Sequence, residues 1–204
     1  MVQGDRRLTA EDWAAVALEA LGEGGLAAVA VEPLAVRLGV TKGSFYWHFS
    51  NRDALVAAAL ARWEHQSTEA KIAVLDVEPD PVARLRMLFT QGSQRAGRDP
   101  IEVNIRAASS HALVAPVLRR VMERRIGYVI GLFEQIGYSH AESVNRGIFG
   151  YAAHVGHSEV TARLPGVLPI DGAGGLAAYV ESVLDLLLRD RPATGHTELM
   201  EAPK

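Results

Sequence analysis

Apolar residues recur at intervals of three and four along most of this chain, which is the spacing of one face of an α-helix. The first such run predicts a helix over residues 10–21, with Thr9 and Asp12 as a capping pattern at its start. Glycines at positions 22, 24 and 25 then predict its end. The apolar face of this helix consists of Trp13, Val16, Ala17, Ala20 and Leu21.

The same spacing continues through the rest of the chain. Pro33 is tolerated in a first helical turn, so residues 32–38 are predicted as a short second helix. Ser50 is expected to cap a longer helix that reaches as far as Val74, and the prolines and acids of 77–81 predict a connection. No run alternates as a strand would, and no repeat is visible, so the predicted fold is all-α. Further helices are predicted over 81–95, after Pro100, and over 113–136, 140–164 and 176–188.

Composition narrows the class of protein without identifying it. The chain has 204 residues, of which 49% are apolar and 22% charged, enough for a sizeable buried core. It contains no cysteine, which excludes disulfides, thiolate metal sites and a cysteine nucleophile and suits a reducing compartment. No apolar run follows the N-terminal arginines, and no window approaches the roughly 18 apolar residues of a membrane span. We therefore expect a cytoplasmic protein.

The distribution of charge is more informative than its total. A net charge of −3 argues against a nucleic-acid partner for the chain as a whole. Between Val36 and Arg52, however, the charged residues are Arg37, Lys42 and Arg52, with His48 besides and no acid. We expect a small basic face on an otherwise acidic protein.

Gly39 separates the second predicted helix from a third, over 42–49. A tight turn between two short helices needs a residue that takes positive φ, and glycine does so without a steric penalty. Thr41 is placed to cap the third helix. Ordinary core packing of its aromatics is the alternative interpretation, but four rings cannot all face inward from one short helix. These four are Phe45, Tyr46, Trp47 and Phe49.

Residues 8–60 together resemble the TetR family of bacterial regulators. The resemblance is carried by Leu34-Ala35, Leu38-Gly39-Val40, the run from Thr41 to Phe49, and Asn51-Arg52-Asp53-Ala54-Leu55. It implies an N-terminal three-helix helix-turn-helix DNA-binding domain over residues 1–50. It further implies a C-terminal helical ligand-binding and dimerisation domain over 51–190. The Pro, Gly and Thr content of 191–204 and its few apolar residues predict a flexible tail.

The resemblance also implies roles for the recognition segment. Lys42, Gly43 and Ser44 lie at the N-terminal end of the recognition helix, which meets base edges in the major groove. The positions of Tyr46, Trp47 and His48 face the sugar-phosphate backbone in the family, and Arg52 stands where a lysine usually contacts a phosphate. Phe45 and Phe49 then face the core. The expected DNA-binding set is Thr41, Lys42, Gly43, Ser44, Tyr46, Trp47, His48 and Arg52.

Two residues depart from the family pattern. Glu32 stands where several members have a base-contacting arginine or a polar residue, and a carboxylate there can only accept from a cytosine amino group or repel phosphate. Ala30 stands where the second helix usually has a serine or threonine cap. We therefore expect little base reading by the second helix. Arg6 and Arg7 form either a basic arm near the minor groove or a solvated terminus.

Several motifs that could indicate a cofactor, a metal or a catalytic site lack the surrounding sequence that such a site needs. Residues 22–27 and 172–177 fit the dinucleotide pattern G-x-G-x-x-A, but neither follows a strand. His154 and His157 have a spacing compatible with a metal, although a cavity or core position is the favoured interpretation. His111, beside two serines, has no identifiable acid partner for a catalytic triad. We expect no enzyme activity, cofactor or metal.

The C-terminal half is expected to bind a small molecule and a second copy of the chain. The outer face of a long amphipathic helix is assigned five charged residues, Arg119, Arg120, Glu123, Arg124 and Arg125. Candidate pocket residues place polar tips on apolar helices, and they are Phe89, His111, Tyr128, Tyr151 and His154. The dimer interface is predicted from an apolar stripe and close-packing glycines, although an intramolecular core helix explains part of the stripe. Its residues are Gly147, Gly150, Val180, Val183, Leu184 and Leu187.

The resemblance implies a repressor that binds a pseudo-palindromic DNA operator as a homodimer. An unidentified small-molecule effector would favour a conformer whose recognition helices are wrongly spaced, and release would follow by population shift. An activator of the same fold is the first alternative. A small helical enzyme or binding protein is the second.

Overall fold

The computed structural model describes residues 8–170 and 172–191, which form helices and connecting turns without a strand among them. The predicted all-α fold is confirmed. The predicted arm at Arg6 and Arg7 and the tail beyond residue 191 lie outside the described residues. The helices are α1 (Ala10–Ala28), α2 (Val31–Arg37), α3 (Lys42–Phe45), α4 (Arg52–Glu64), α5 (Ala70–Leu75), α6 (Pro81–Arg95), α7 (Pro100–Ala107), α8 (Ala115–Ile136), α9 (His140–Arg163) and α10 (Gly172–Leu187).

Helix starts follow the caps that the sequence supplies. The Thr9 side chain and Asp12 form a capping box at α1, and Ser139 forms another at α9. Asp80 caps α6, which then begins at a proline. The predicted cap of α4 is wrong by one residue, since Asn51 Oδ1, and not the Ser50 side chain, accepts from the amide of Ala54 at 2.9 Å.

Two helix ends differ from the prediction. The first helix continues past residue 21 to Ala28, with a kink at Gly24 and Gly25, because Gly22 remains helical and packs against α7. Helix α3 ends at Phe45 instead of Phe49, and residues 46–48 form turns with i to i+3 hydrogen bonds. The long fourth helix is likewise interrupted by a π-helical segment, His65–Glu69.

The first core fills the space between α1, α2, α3 and α4. Trp13 and Phe45 are fully buried at its centre, and Leu60 and Trp63 extend it along α4. Ile105 of α7 and the N-terminal half of α8 close it from the other side. This core crosses the expected boundary at residue 50.

The second core lies between α6, α8 and α10. Phe133 and Leu132 of α8 pack there against Leu85 of α6 and Leu184 of α10. Helix α8 therefore serves both cores, with its first half in one and its second half in the other. None of the described helices has the length and apolar composition that a bilayer crossing requires.

Candidate functional site

A helix-turn-helix is formed by α2, a turn at Gly39, and α3. Gly39 has φ of +68°, a conformation that glycine adopts without penalty. The Val40 amide donates to the carbonyl of Ala35 at 3.0 Å and closes the turn, while Leu34 is buried beneath it. The direction in which α3 leaves α2 is thus fixed by backbone geometry.

Phe45 anchors α3 in the first core. Its ring meets Trp13 edge to face, with centroids 5.4 Å apart, and stacks on Phe49 at 5.7 Å. Phe45 is fully buried and Phe49 half-buried, so the predicted inward orientation of these two rings is confirmed. The pair holds the short helix against α1.

The remaining aromatics of this segment face solvent. Trp47 is 87% exposed and Tyr46 is 60% exposed. We call residues 41–48 the recognition turn. It brings together every predicted DNA-binding residue except Arg52, with Lys42 also exposed and His48 half-buried. Exposed rings beside a cation make a contact surface, and their role in binding DNA stays a prediction.

Lys42 is paired within the protein. Its Nζ atom lies 2.7 Å from Glu32 Oε1, which joins the start of α3 to the first turn of α2. The hydrogen bond and the opposite charge raise the pKa of Lys42 and lower the pKa of Glu32, so both groups are ionised at neutral pH. A residue expected to read DNA therefore starts from an ion pair, a contact that helical periodicity does not indicate.

Arg52 has different partners from those that the resemblance implies. Its Nε donates to the carbonyl of Val29 at 2.7 Å, and one terminal nitrogen donates to the carbonyl of Leu26. The other terminal nitrogen lies 3.7 Å from Asp53. In this arrangement Arg52 joins the start of α4 to the end of α1, and its contact with DNA stays a prediction.

A cavity of about 150 Å³ lies between α5, α6, α7, α8 and α9. Phe89, Tyr128, Tyr151 and His154 are among its lining residues, as expected of pocket residues. His111 is not, because it lies in an exposed turn before α8, where its Nδ1 atom accepts from the amide of Leu113 at 3.2 Å. His111 is therefore removed from the candidate pocket.

Three charged side chains of the cavity form a buried charge cluster, Glu102, Arg106 and Arg125. Glu102 Oε1 accepts from Arg106 at 2.7 Å and from Arg125 at 2.9 Å. Burial alone would raise the pKa of Glu102, but the two guanidiniums outweigh it and hold this pKa at about 2. Glu102 is thus a permanent carboxylate shared by two cations.

The outward assignment of Arg125 is wrong. Its side chain is only 16% exposed, and Nε donates to Thr68 Oγ1 at 3.1 Å while a terminal nitrogen donates to the Ser67 carbonyl at 3.2 Å. The π-helical segment turns these two polar residues inward and so provides the partners. Arg119, Arg120 and Arg124 remain on the outer face as expected. The charge run alone could not indicate which arginine is buried.

His154 lines the cavity beside Gly92. A side-chain carbon at position 92 would lie 3.1 Å from its ring, so the glycine provides the room. Burial lowers the pKa of His154 to about 4, which leaves the ring neutral at physiological pH. His157 instead stacks on Tyr179 at 5.3 Å. Among the described residues, no group of three His, Cys, Asp or Glu side chains is arranged to hold a metal.

The residues predicted for the dimer interface pack mostly inside one chain. Gly147 contacts Ile130 of α8, and Gly150 contacts Phe89. Val180, Leu184 and Leu187 are buried in the second core, and Val183 packs against it. This part of the prediction is corrected, because the stripe on α10 faces α6 and α8. The large apolar side chains left exposed on these two helices are Ile148, Phe149 and Leu186.

An all-helical chain with a helix-turn-helix in its N-terminal region and a cavity in its C-terminal half has the architecture of a helix-turn-helix transcriptional regulator. Residues 14–59 match the sequence profile of "Bacterial regulatory proteins, tetR family". This match confirms the resemblance of residues 8–60 to that family.

The chain is similar to a named regulator in sequence and to solved structures in fold. A Pseudomonas putida protein named as an HTH-type transcriptional regulator, ArpR, is 27% identical over 171 residues, which cover 81% of this chain and 74% of the relative. The fold is shared with a transcriptional regulator from Rhodococcus sp. Rha1, at 21% identity and a TM-score of 0.69 over 89% of this chain and 96% of that one. It is also shared with FadR from Bacillus subtilis in complex with stearoyl-CoA, at 16% identity and a TM-score of 0.61 over 87% and 97% of the two chains.

Proposed function

We propose that this regulator is a repressor that binds its operator through the recognition turn and leaves it when a small molecule fills the cavity. The observation that carries the proposal is the exposure of Trp47 and Tyr46 beside Lys42, on a turn whose neighbour Phe45 is locked in the core. A rigid scaffold with an exposed aromatic and cationic tip suits contact with phosphates and base edges. Because such a protein acts on chromosomal DNA, we propose that it works in the cytoplasm.

The DNA-binding unit of this proposal extends from α1 through α4. Leu55, Val56 and Leu60 of α4 are fully buried against α1, so a boundary at residue 50 would divide one core. The effector-binding unit then begins near the π-helical segment. Gly39 and Phe45 set the recognition turn within the first unit.

Operator binding is tested with the duplex upstream of the chain's own gene, by fluorescence anisotropy over a salt series. Saturable binding that weakens with salt is expected, because phosphate contacts release counterions. Lys42→Ala should lower affinity about tenfold or more and change the preferred bases. Val74→Ala, an exposed apolar residue of α5, is the matched control and should bind like wild type. Absence of binding to this and all neighbouring promoters would contradict the proposal.

Helix α7 offers a physical link between the cavity and the DNA-binding unit. Glu102 and Arg106 on one face line the cavity. On another face, Asn104 Nδ2 donates hydrogen bonds to the carbonyls of Leu21 and Gly22, at 3.0 and 2.9 Å. These two hydrogen bonds join α7 directly to α1. A ligand that displaces α7 would therefore move α1. Asn104→Ala should preserve ligand binding and weaken the effect of ligand on operator affinity.

The exposed apolar face of α9 and α10 supports a homodimer. Phe149 is 62% exposed, and Ile148 and Leu186 lie more than half exposed nearby in these helices. Burying such side chains between two copies is favourable, because each removes apolar area from water. Phe149→Glu should convert a dimer to a monomer in light scattering, whereas Val74→Glu should not. A monomeric wild-type protein at micromolar concentration would contradict this assembly.

A further inference from the structure

The basic side chains of the cavity outnumber its acidic partners. Lys71, Arg95, Arg106 and Arg125 line the cavity together with three acids, Asp99, Glu102 and Glu159. Glu159 is already paired with Arg163, and the Asp99 side chain accepts from the first amides of α7. Glu102 is shared by two guanidiniums. With four basic side chains against three acids, one of which is paired with an arginine outside the lining, the cavity lining carries net positive charge.

Two of these cations have no ion-pair partner within the described residues, Lys71 and Arg95. Lys71 is half-buried on α5, and Arg95, the last residue of α6, lies at the exposed edge of the cavity. Burial, and next the proximity of Arg125 and Arg95, lower the pKa of Lys71, although Glu102 and Asp99 oppose this. The ammonium of Lys71 is thus influenced by other cations as well as by two acids, and an added anion would stabilise its charged form.

Part of the cavity lining is apolar. A hydrocarbon can pack against these residues without desolvating a charge. Ligand sites commonly combine an apolar lining with a few polar groups that fix the orientation of the ligand. The cavity volume of about 150 Å³ is close to that of an engineered cavity that holds one benzene ring. The apolar lining consists of Ile72, Leu75, Leu88, Phe89 and Val129.

We propose that the cavity binds a small amphipathic carboxylate, whose charged group pairs with Lys71 and Arg95 and whose single ring or short chain packs on the apolar lining. This inference rests on the proposed function, because it assumes that the ligand of the cavity is the effector. A monoanion suits the site better than a dianion, since Asp99 and Glu102 remain in the lining and repel further negative charge. A carboxylate also accepts two hydrogen bonds from a guanidinium.

The test is isothermal titration of the DNA-free protein with phenylacetate and with phenylacetamide, a neutral molecule of the same shape. Hexanoate and hexanamide form a second pair, and phenyl phosphate represents the dianion. Each acid should bind about tenfold or more tightly than its amide, because only the acid supplies a charged acceptor. Phenyl phosphate should bind more weakly than phenylacetate.

Two variants assign the charge preference to residues. Lys71→Met and Arg95→Gln should each remove most of the difference in affinity between phenylacetate and phenylacetamide. Arg98→Gln, an exposed arginine near Arg95 but outside the lining, is the matched control and should leave the preference intact. Arg95 is exposed, so its replacement keeps the test valid even if Lys71→Met unfolds the protein.

Equal binding of acid and amide, no binding of either pair at millimolar concentration, or an unchanged preference in both variants would overturn the inference. The titration contains no DNA, so its failure contradicts the ligand class alone. Failure of the operator assay, with carboxylate binding intact, contradicts the repressor and leaves the anion site standing. The two proposals are thereby tested separately.

Discussion

Glu32 is expected to restrain the recognition turn, and Glu32→Gln should strengthen operator binding. In the protein without DNA, its carboxylate lies 2.7 Å from Lys42 Nζ, at the end of α3 that is proposed to enter the major groove. A phosphate or a guanine edge must compete with this carboxylate for the ammonium. Glutamine keeps the shape of the side chain but removes the charge that holds Lys42 and repels phosphate.

The salt dependence gives the size of the effect. Each phosphate contact adds about 0.9 to the slope of log affinity against log salt, so one extra contact per protomer adds about 1.8 for a dimer. The affinity gain of Glu32→Gln over wild type should then shrink about twelvefold between roughly 50 and 200 mM salt. Since both side chains are exposed, the gain arises from exchange of partners on DNA and not from a change in stability.

The assay is fluorescence anisotropy of a labelled operator across that salt range. Glu123→Gln on α8 is the control, because it removes the same charge from a carboxylate that is 66% exposed, against 69% for Glu32, and that is also paired with a cation, Arg119. Equal changes of slope in both variants would show an effect of net charge. An unchanged slope for Glu32→Gln would refute the competition, and weaker binding would instead indicate that Glu32 accepts from a cytosine amino group.

Three further predictions follow from single contacts. Trp47→Ala should lower operator affinity about tenfold and change the free energy of unfolding in urea by no more than about 0.5 kcal/mol; a larger loss of stability would show a structural role. Arg52→Ala should lower the free energy of unfolding by about 1–3 kcal/mol, since two carbonyls lose a charged donor, whereas unchanged stability with weaker DNA binding would restore the phosphate role. The pKa of His154 is about 4 in the folded protein and about 6.5 in the unfolded chain. Between these pH values only the unfolded chain binds a proton at this residue, so the free energy of unfolding falls as pH drops from 6.5 to 4. In urea unfolding, wild type should lose about 2 kcal/mol more stability than His154→Gln between about pH 7 and 5. An equal loss in the two proteins would contradict the burial of a neutral ring.

Local signals explain why most helices could be predicted. The α6 range of 81–95 agrees at both ends, because Asp80 and Pro81 supply a start and the apolar spacing continues to Arg95. The turn at Gly39 could be predicted because its positive φ needs glycine. Both signals act between residues that are near neighbours in the sequence, so the pattern carries them.

Features that depend on distant contacts could not be predicted in this way. Arg125 follows an outward run of charges, yet it points inward, because the polar groups of Ser67 and Thr68 meet it from another helix. The apolar stripe of α10 predicts burial but not the partner, and the second core of the same chain takes most of it. Periodicity identifies a buried face without saying what covers it.

Gly22 is predicted to end the first helix, but in the structure it allows close packing between two helices. Its neighbours Gly24 and Gly25 do kink the chain, but Gly22 itself stays helical, and a side-chain carbon there would lie 2.7 Å from Ile101 Cγ1 of α7. The missing side chain brings α1 close enough for Asn104 to donate to the carbonyls of Leu21 and Gly22. Because α7 also contributes Glu102 and Arg106 to the cavity, the contact at Gly22 joins the cavity to the helix that supports Phe45. A break in the sequence pattern is thus, in three dimensions, the point through which an effector would act on the recognition turn.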